Sequence, residues 1–288
     1  MNRSLLFYLC SLLLFSSNGI VSNYIPLDST YIVLLRTLIG GALLLALFLL
    51  RGGRFTFYHH WRQFFFLLAS GVSMGLSWMF LFEAYDRVGV SIASLLYYCG
   101  PVIVMALSPL LFHERLTAGR AVGFLSVIVG VVLVNSITSG GAGDTWGVAC
   151  GLLSAATYGL LVICNKKAAP IVGFENVVLQ MVTAFFTVAV FVGVTQGFAI
   201  HLPAEGVLPM AILGVVNTAL GCYLYFSSIG QLRVQTVAIC SYLDPLSAVL
   251  LSALVLHETL TPRQLLGAAL ILGGALVGEL FKEHHAEE

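Results

Sequence analysis

The sequence predicts an all-α polytopic membrane protein with ten transmembrane helices in two inverted five-helix repeats. Three observations carry this. Of 288 residues, 59% are hydrophobic and only 9% charged, against roughly 25% charged in a soluble domain. The apolar residues fall into ten runs, each near the length of about 20 residues that a hydrocarbon core about 30 Å thick requires of a helix. Residues 98–130 also recur, displaced by 144 positions, as 242–274, and aligning 91–130 with 235–274 gives eleven identities in forty ungapped pairs. Apolar composition can mimic similarity between membrane helices. It does not place Pro101/Pro245, His113-Glu114/His257-Glu258, Thr117/Thr261, Gly123/Gly267 and Gly130/Gly274 at shared offsets, so the chain is read as an internal repeat.

The runs cover residues 4–22, 30–50, 63–85, 90–112 and 118–136 in the first half. The second half supplies 146–164, 176–195, 207–228, 234–256 and 262–280. Every break is brief and leaves no room for a soluble domain, so the repeats are expected at 1–138 and 139–288. No small-x-small cleavage site follows Asn18-Gly19-Ile20-Val21, so the first run is expected to be a retained helix and not a signal peptide.

Orientation follows from Lys and Arg, which are retained on the cytoplasmic side. With the N-terminus inside, ten of them (Arg3, Arg51, Arg54, Arg62, Arg115, Arg120, Lys166, Lys167, Arg233 and Lys282) lie in cytoplasmic segments. Only Arg87 and Arg263 lie outside, with Arg36 within a helix. Both termini are therefore expected in the cytoplasm. Five helices per half point equivalent helices in opposite directions, which puts His113-Glu114 at one face and His257-Glu258 at the other. Such inverted repeats supply two conformations of similar energy and suit alternating access around a midplane site.

A long apolar helix with a mid-helix Pro, then His-Glu-x-Leu-Thr and a Gly-spaced helix, present twice, resembles the EamA family of the drug/metabolite transporter superfamily. Pro26-x9-Arg36 in the second run is similar to that family's first repeat. The resemblance covers residues 4–280. It implies ten helices with both termini cytoplasmic, a central cavity, a bacterial inner membrane, and secondary transport of small metabolites, commonly the export of amino acids and their relatives.

Several residues stand out on chemical grounds. Pro101 and Pro245 interrupt the fourth and ninth runs, and each frees the carbonyl four residues earlier, of Tyr97 and of Ser241. In hydrocarbon a freed carbonyl must face protein, water or substrate, which makes both prolines helix-break and gating candidates. Asp244 precedes Pro245, and its repeat partner is Gly100. An embedded carboxylate costs about 2.5 to 3.5 kcal/mol unless paired or wet, so Asp244 is the leading candidate for a substrate-amine or proton site; the structural alternative is an Asp that caps backbone groups at the break. Arg36, whose repeat partner is Gln180, has the fork geometry to hold a substrate carboxylate, or else pairs with Glu83 or Asp86 or snorkels to the interface. Among aromatics, Tyr98, Tyr242, Tyr97 and Trp78 are candidates for a wall that accepts an apolar body and fixes a polar end. Asn18 and Asn217 either contact substrate or serve as interhelical hydrogen bonds. Glu114 and Glu258 are expected to hold turns and respond to gate closure, with Thr117 and Thr261 as N-caps and Pro262 at the first helical position.

Other classes of function find less support. Lys and Arg total 13 and Asp and Glu 13, so no basic stripe exists for a nucleic acid. The six cysteines form no Cys-x-x-Cys pair and read as packing residues. Neither His-Glu copy has the second His of a zinc helix, and no cofactor is expected. A membrane-embedded enzyme, a channel, and a multidrug or sugar-phosphate transporter of the same fold are the alternatives. The expected partners are a small-molecule substrate and the lipid bilayer, with proton coupling open and a monomer or homodimer. Small-xxx-small pairs (Gly71/Gly75, Gly119/Gly123, Gly147/Gly151, Gly193/Gly197, Gly274/Gly278) mark packing seams.

Overall fold

The computed structural model describes residues 3–100, 102–103, 118–135, 144–168, 171, 173–229, 232 and 240–283, and among them helix is the only extended regular structure. The first span is α1 (Arg3–Ser16) followed by α2 (Asn18–Ser22). The break between them has a local cause. The Ser16 and Ser17 hydroxyls donate back to the carbonyls of Leu13 and Leu14 at 2.9 and 2.8 Å, a pattern that bends helices. Next come α3 (Ser29–Leu50), α4 (Trp61–Val88), α5 (Val90–Tyr97) and α6 (Ala118–Asn135). The later part of the chain holds α7 (Thr145–Lys167), α8 (Gly173–Thr195), α9 (Ala204–Ala211), α10 (Gly221–Ile229), α11 (Leu243–Val255) and α12 (Pro262–Glu283). Between α9 and α10 the helix continues without a break as a π-helical stretch, Ile212–Leu220.

Six of these helical segments among the described residues are long and apolar enough to cross a membrane: Arg3–Ser22, Ser29–Leu50, Trp61–Val88, Thr145–Lys167, Gly173–Thr195 and Ala204–Tyr225. Residues 104–112 of the fourth run and 234–239 of the ninth lie outside the described residues, as do Pro101, His113, Glu114 and Thr117. The bundle is built inside out relative to a soluble protein. Leu6, Leu13, Leu49, Leu125, Val132, Phe186, Val190 and Val194 are exposed, whereas Arg36, Gln180, Asn217, Thr218 and Ser154 are buried. Lipid suits the first set, and polar groups turned inward find partners that hydrocarbon cannot supply.

The helix ends follow their local chemistry. Gly89, at φ 84°, stops α4 and lets the chain reverse directly into α5. The free N–H groups of Val90 and Ser91 at the start of α5 donate to the Glu258 carboxylate at 2.8 and 3.0 Å, so Glu258 caps a helix of the opposite half. Thr261, Pro262 and Gln264 open α12: the Gln264 amide oxygen accepts from the Thr261 N–H at 2.9 Å and the Thr261 hydroxyl accepts from the Gln264 N–H at 3.4 Å. That is a capping box with Pro at the first helical position. Asp144 caps α7 by accepting from the Gly147 N–H at 3.1 Å.

Small residues set the closest helix contacts. A Cβ on Gly130 would stand 2.7 Å from the Gly267 carbonyl oxygen, and one on Gly274 would stand 2.7 Å from the Gly123 carbonyl oxygen. The α6–α12 seam is thus reciprocal, Gly130 lying on Gly267 and Gly274 on Gly123. Gly71 and Gly75 admit α8, and Gly147 and Gly151 admit α4 and α5. Helix contacts also come in couples: α4 with α7 beside α10 with α1, α4 with α8 beside the π-helical stretch with α3, and α5 with α7 beside α11 with α1. Cys99, Cys150, Cys164 and Cys222 are buried, three of them in the hydrophobic clusters.

Candidate functional site

A cavity of about 360 Å³ lies inside the bundle, lined from α1, α2, α3, α4, α5, α7, α8, α10 and the chain just before and within α11. Helical spacing explains the selection. Met74, Ser77, Trp78, Leu81 and Tyr85 on α4, and Tyr158, Leu161, Val162 and Asn165 on α7, recur every three or four residues and so share one face. Eight of the twenty-three described lining residues are aromatic. Tyr97 packs against Tyr158 and Tyr98 with ring centroids 5.1 and 5.8 Å apart, and Tyr8 and Phe15 flank Tyr225 at 5.6 and 5.9 Å.

Asp244 reaches this cavity from the first turn of α11, and the Tyr98 hydroxyl donates to its Oδ2 at 2.8 Å. The same hydroxyl lies 3.3 Å from the Ser241 carbonyl oxygen. Residue 245 has no N–H to offer the carbonyl of Ser241, and the Tyr98 hydroxyl stands beside that oxygen while donating its single proton to Asp244. The helical path turns at Tyr98 and again at Tyr242.

Arg36 enters from α3 and is 1% exposed. Its guanidinium carbon lies 4.4 Å from the ring centroid of Trp78 and 4.9 Å from that of Phe82, so cation–π contact holds the plane. Its Nε donates to the Thr218 hydroxyl at 3.2 Å, and Nη1 is buried with no hydrogen-bond partner among the described residues. Pairing with Glu83 or Asp86 is not what the structure contains: Glu83 accepts from Ser29 at 2.8 Å and from Arg87 at 2.9 Å, and Arg36 is stacked inward instead of snorkelling. Asn18 also lines the cavity, and its Oδ1 is buried without a partner among the described residues.

Of the residues singled out from sequence, the structure brings together Asn18, Arg36, Trp78, Tyr97, Tyr98, Ser241 and Asp244 around one space. Tyr242 lies elsewhere. It is buried in the cluster formed by Leu95, Cys99, Val127, Ala268 and Ile271. Asn217 is likewise outside the lining: its amide donates to the Leu14 carbonyl and the Ser17 hydroxyl, both at 2.8 Å, and joins the π-helical stretch to α1. Pro245 is buried at the start of α11, and Glu258 acts at the α5 terminus described above. Sequence reasoning passed over Tyr8, Ser77, Tyr158, Asn165 and Thr218. The first four carried a signal in the polar and aromatic stripe at helical spacing; Thr218 carried none, because its orientation depends on the π-helical register. No group of three or more His, Cys, Asp or Glu with a metal-holding arrangement occurs among the described residues.

A helical bundle with an apolar exterior and polar side chains turned inward around a cavity is the architecture of an integral membrane protein. The chain belongs to the EamA-like transporter family, which it matches over residues 2–136 and again over 145–278. It is 24% identical to the uncharacterized transporter YxxF of Bacillus subtilis over 92% of this chain and 85% of the relative. It is 23% identical to the inner membrane transporter YicL of Salmonella typhimurium, an uncharacterized protein, over 99% and 97%. A probable amino-acid metabolite efflux pump of Salmonella typhimurium is 27% identical over 73% of this chain and 75% of the relative. A crystal structure at 20% identity has the same fold, with a TM-score of 0.67 and coverage of 96% of this chain and 98% of the other.

Proposed function

We propose that the chain is a secondary transporter that exports a small amphipathic metabolite, an amino acid or a related compound, by alternating access around this cavity. The observation that carries the reading is the Tyr98–Asp244 hydrogen bond. It joins the end of α5 to the first turn of α11 beside the cavity, so a ligand amine or a proton that engages Asp244 alters the contact between halves. In this reading residues 1–138 and 139–288 form two five-helix repeats, inverted in a bacterial inner membrane with both termini cytoplasmic. The reciprocal α6–α12 glycine seam, the coupled helix contacts and the twofold family match support it. The efflux pump named among the relatives supports export and an amino-acid-like substrate.

Counterflow in proteoliposomes tests the proposal. Excess unlabelled amino acid inside the vesicles is expected to stimulate uptake of the labelled compound, with saturation. Chemical turnover of the solute, or unsaturable flux, refutes a carrier. Proton antiport adds a second expectation: Asp244→Asn abolishes dependence on an imposed pH gradient, and unchanged dependence removes Asp244 from coupling.

A further inference from the structure

The transport reading leaves two atoms of the cavity without a role. Arg36 Nη1 and Asn18 Oδ1 are both buried and lack partners among the described residues, a costly state for polar groups shielded from water. One is a donor and the other an acceptor. Both residues belong to the lining, and Arg36 and the neighbour of Asn18 bond to adjacent positions of the opposite half. Arg36 Nε donates to Thr218, while Ser17, next to Asn18, accepts from Asn217. Thr218 in turn donates to the Leu213 carbonyl five residues back at 2.8 Å, the spacing a π-helix provides.

We propose that Arg36 Nη1 and Asn18 Oδ1 form a single head-group subsite for a carboxylate that carries an N–H or O–H donor on the adjacent carbon, as in an α-amino or α-hydroxy acid. The carboxylate accepts from Arg36, and the adjacent donor is received by Asn18. Thr218 is a positioning residue: by occupying Nε it turns the free edge of the guanidinium to the cavity, while Trp78 and Phe82 hold the plane. This rests on the transport reading for the use of the cavity, but it departs from it in one respect, since head-group recognition here does not need Asp244. A dianionic phosphate fits poorly, because Arg36 is the one Arg or Lys among the described lining residues and Asp244 shares the space.

Trp78 stacks on Arg36 and reports on the subsite directly. The chain has three Trp; Trp61 and Trp146 are exposed, so a Trp61→Phe/Trp146→Phe background leaves Trp78 as the sole tryptophan, read by excitation at the red edge where tyrosine does not absorb. Phenylalanine, phenyllactate, 3-phenylpropanoate and phenethylamine share a body that suits the aromatic wall and differ in the head. Phenylalanine and phenyllactate are expected to bind about tenfold more tightly than 3-phenylpropanoate, the worth of one buried hydrogen bond, and phenethylamine is expected to leave Trp78 emission unchanged. Asn18→Leu should erase that tenfold preference without abolishing carboxylate binding. Arg36→Gln should remove every response, and Thr218→Val should weaken all three acids, with Thr218→Ser restoring them. In Asp244→Asn the preference for phenyllactate over 3-phenylpropanoate should persist. Equal affinities for these two acids, a phenethylamine response as large as the acids', an unchanged preference in Asn18→Leu, or silence toward all four probes overturns the subsite. Counterflow of the same probes separates the two readings: flux without a Trp78 response leaves the transporter and removes the subsite, and selective binding without flux does the reverse.

Discussion

Replacing Tyr98 with Phe deletes one oxygen and two interhelical contacts, at 2.8 Å to Asp244 and 3.3 Å to the Ser241 carbonyl. An ordinary hydrogen bond between membrane helices contributes about 0.6 kcal/mol, with a maximum near 1.7. Tyr98 should exceed the average where Asp244 is ionised, because hydrogen bonds to a charged group contribute about 1.5 to 3 kcal/mol. Tyr98→Phe is therefore expected to destabilise the protein by about 1.5 to 3 kcal/mol in reversible mixed-micelle unfolding. Combined with Asp244→Asn it should be non-additive by about 1 kcal/mol, beyond the roughly 0.5 kcal/mol within which independent sites add. A loss no larger than about 0.6 kcal/mol, or additivity in the cycle, would show that the bond does not tie the two broken helices together.

Four further outcomes follow from the helix termini and seams. Glu258→Ala leaves the Val90 and Ser91 N–H groups uncapped and should cost about 1 to 2 kcal/mol, with Glu258→Gln costing less; equal losses in both would discount the carboxylate. Thr261→Ala should cost about 1 kcal/mol through loss of the α12 capping box, measured by the same unfolding assay. Gly130→Ala and Gly274→Ala meet the same 2.7 Å obstacle, so each should destabilise by about 1 to 3 kcal/mol and by matching amounts, a parity that unequal midpoints would contradict. The Gly147 N–H, and with it Arg87, holds the Asp144 carboxyl below the usual carboxylate range. A carboxyl lowered in the folded state contributes its stability fully above the unfolded value of about 3.9 and loses it as pH falls through the lower folded value. Acid unfolding of wild type should thus contain a component in that window that Asp144→Asn lacks.

The legible part of the fold was the part written in periodicity. Runs at 30–50 and 176–195 correspond to α3 and α8 within a few residues, because an unbroken apolar stretch between polar loops has one stable form in a bilayer. Thr261-Pro262 marked the start of α12 because capping is local. Asp244 and Tyr98 were legible for a different reason: an embedded carboxylate and a proline break are costly enough to demand partners, and each turned out to be the other's solution. Arg36 was half legible. Its charge flagged it, but its neighbours in the fold are Trp78 and Phe82 from α4 and Thr218 from the far half, none of which lies at a spacing that sequence reveals. Asn217 and Tyr242 had the right residue types, yet helix rotation turned one toward α1 and the other into the α5–α6–α12 cluster. Rotation about a helix axis is set by packing, so it was the information least available beforehand.

Packing also accounts for the most informative difference between the two halves. Gly100 occupies the position that matches Asp244, and a Cβ there would stand 2.7 Å from the Tyr158 ring and 3.1 Å from the Ala155 carbonyl oxygen. The first half therefore has no room for a second carboxylate at this level; Tyr158 fills the space and joins the aromatic wall instead. Gly100→Ala should displace Tyr158, costing about 1 to 3 kcal/mol by overpacking and disturbing its contact with Tyr97. Tyr158→Ala should relieve that cost, so the pair is expected to be non-additive in unfolding measurements. If Gly100→Ala is neutral with Tyr158 in place, the close approach does not explain why position 100 carries no side chain.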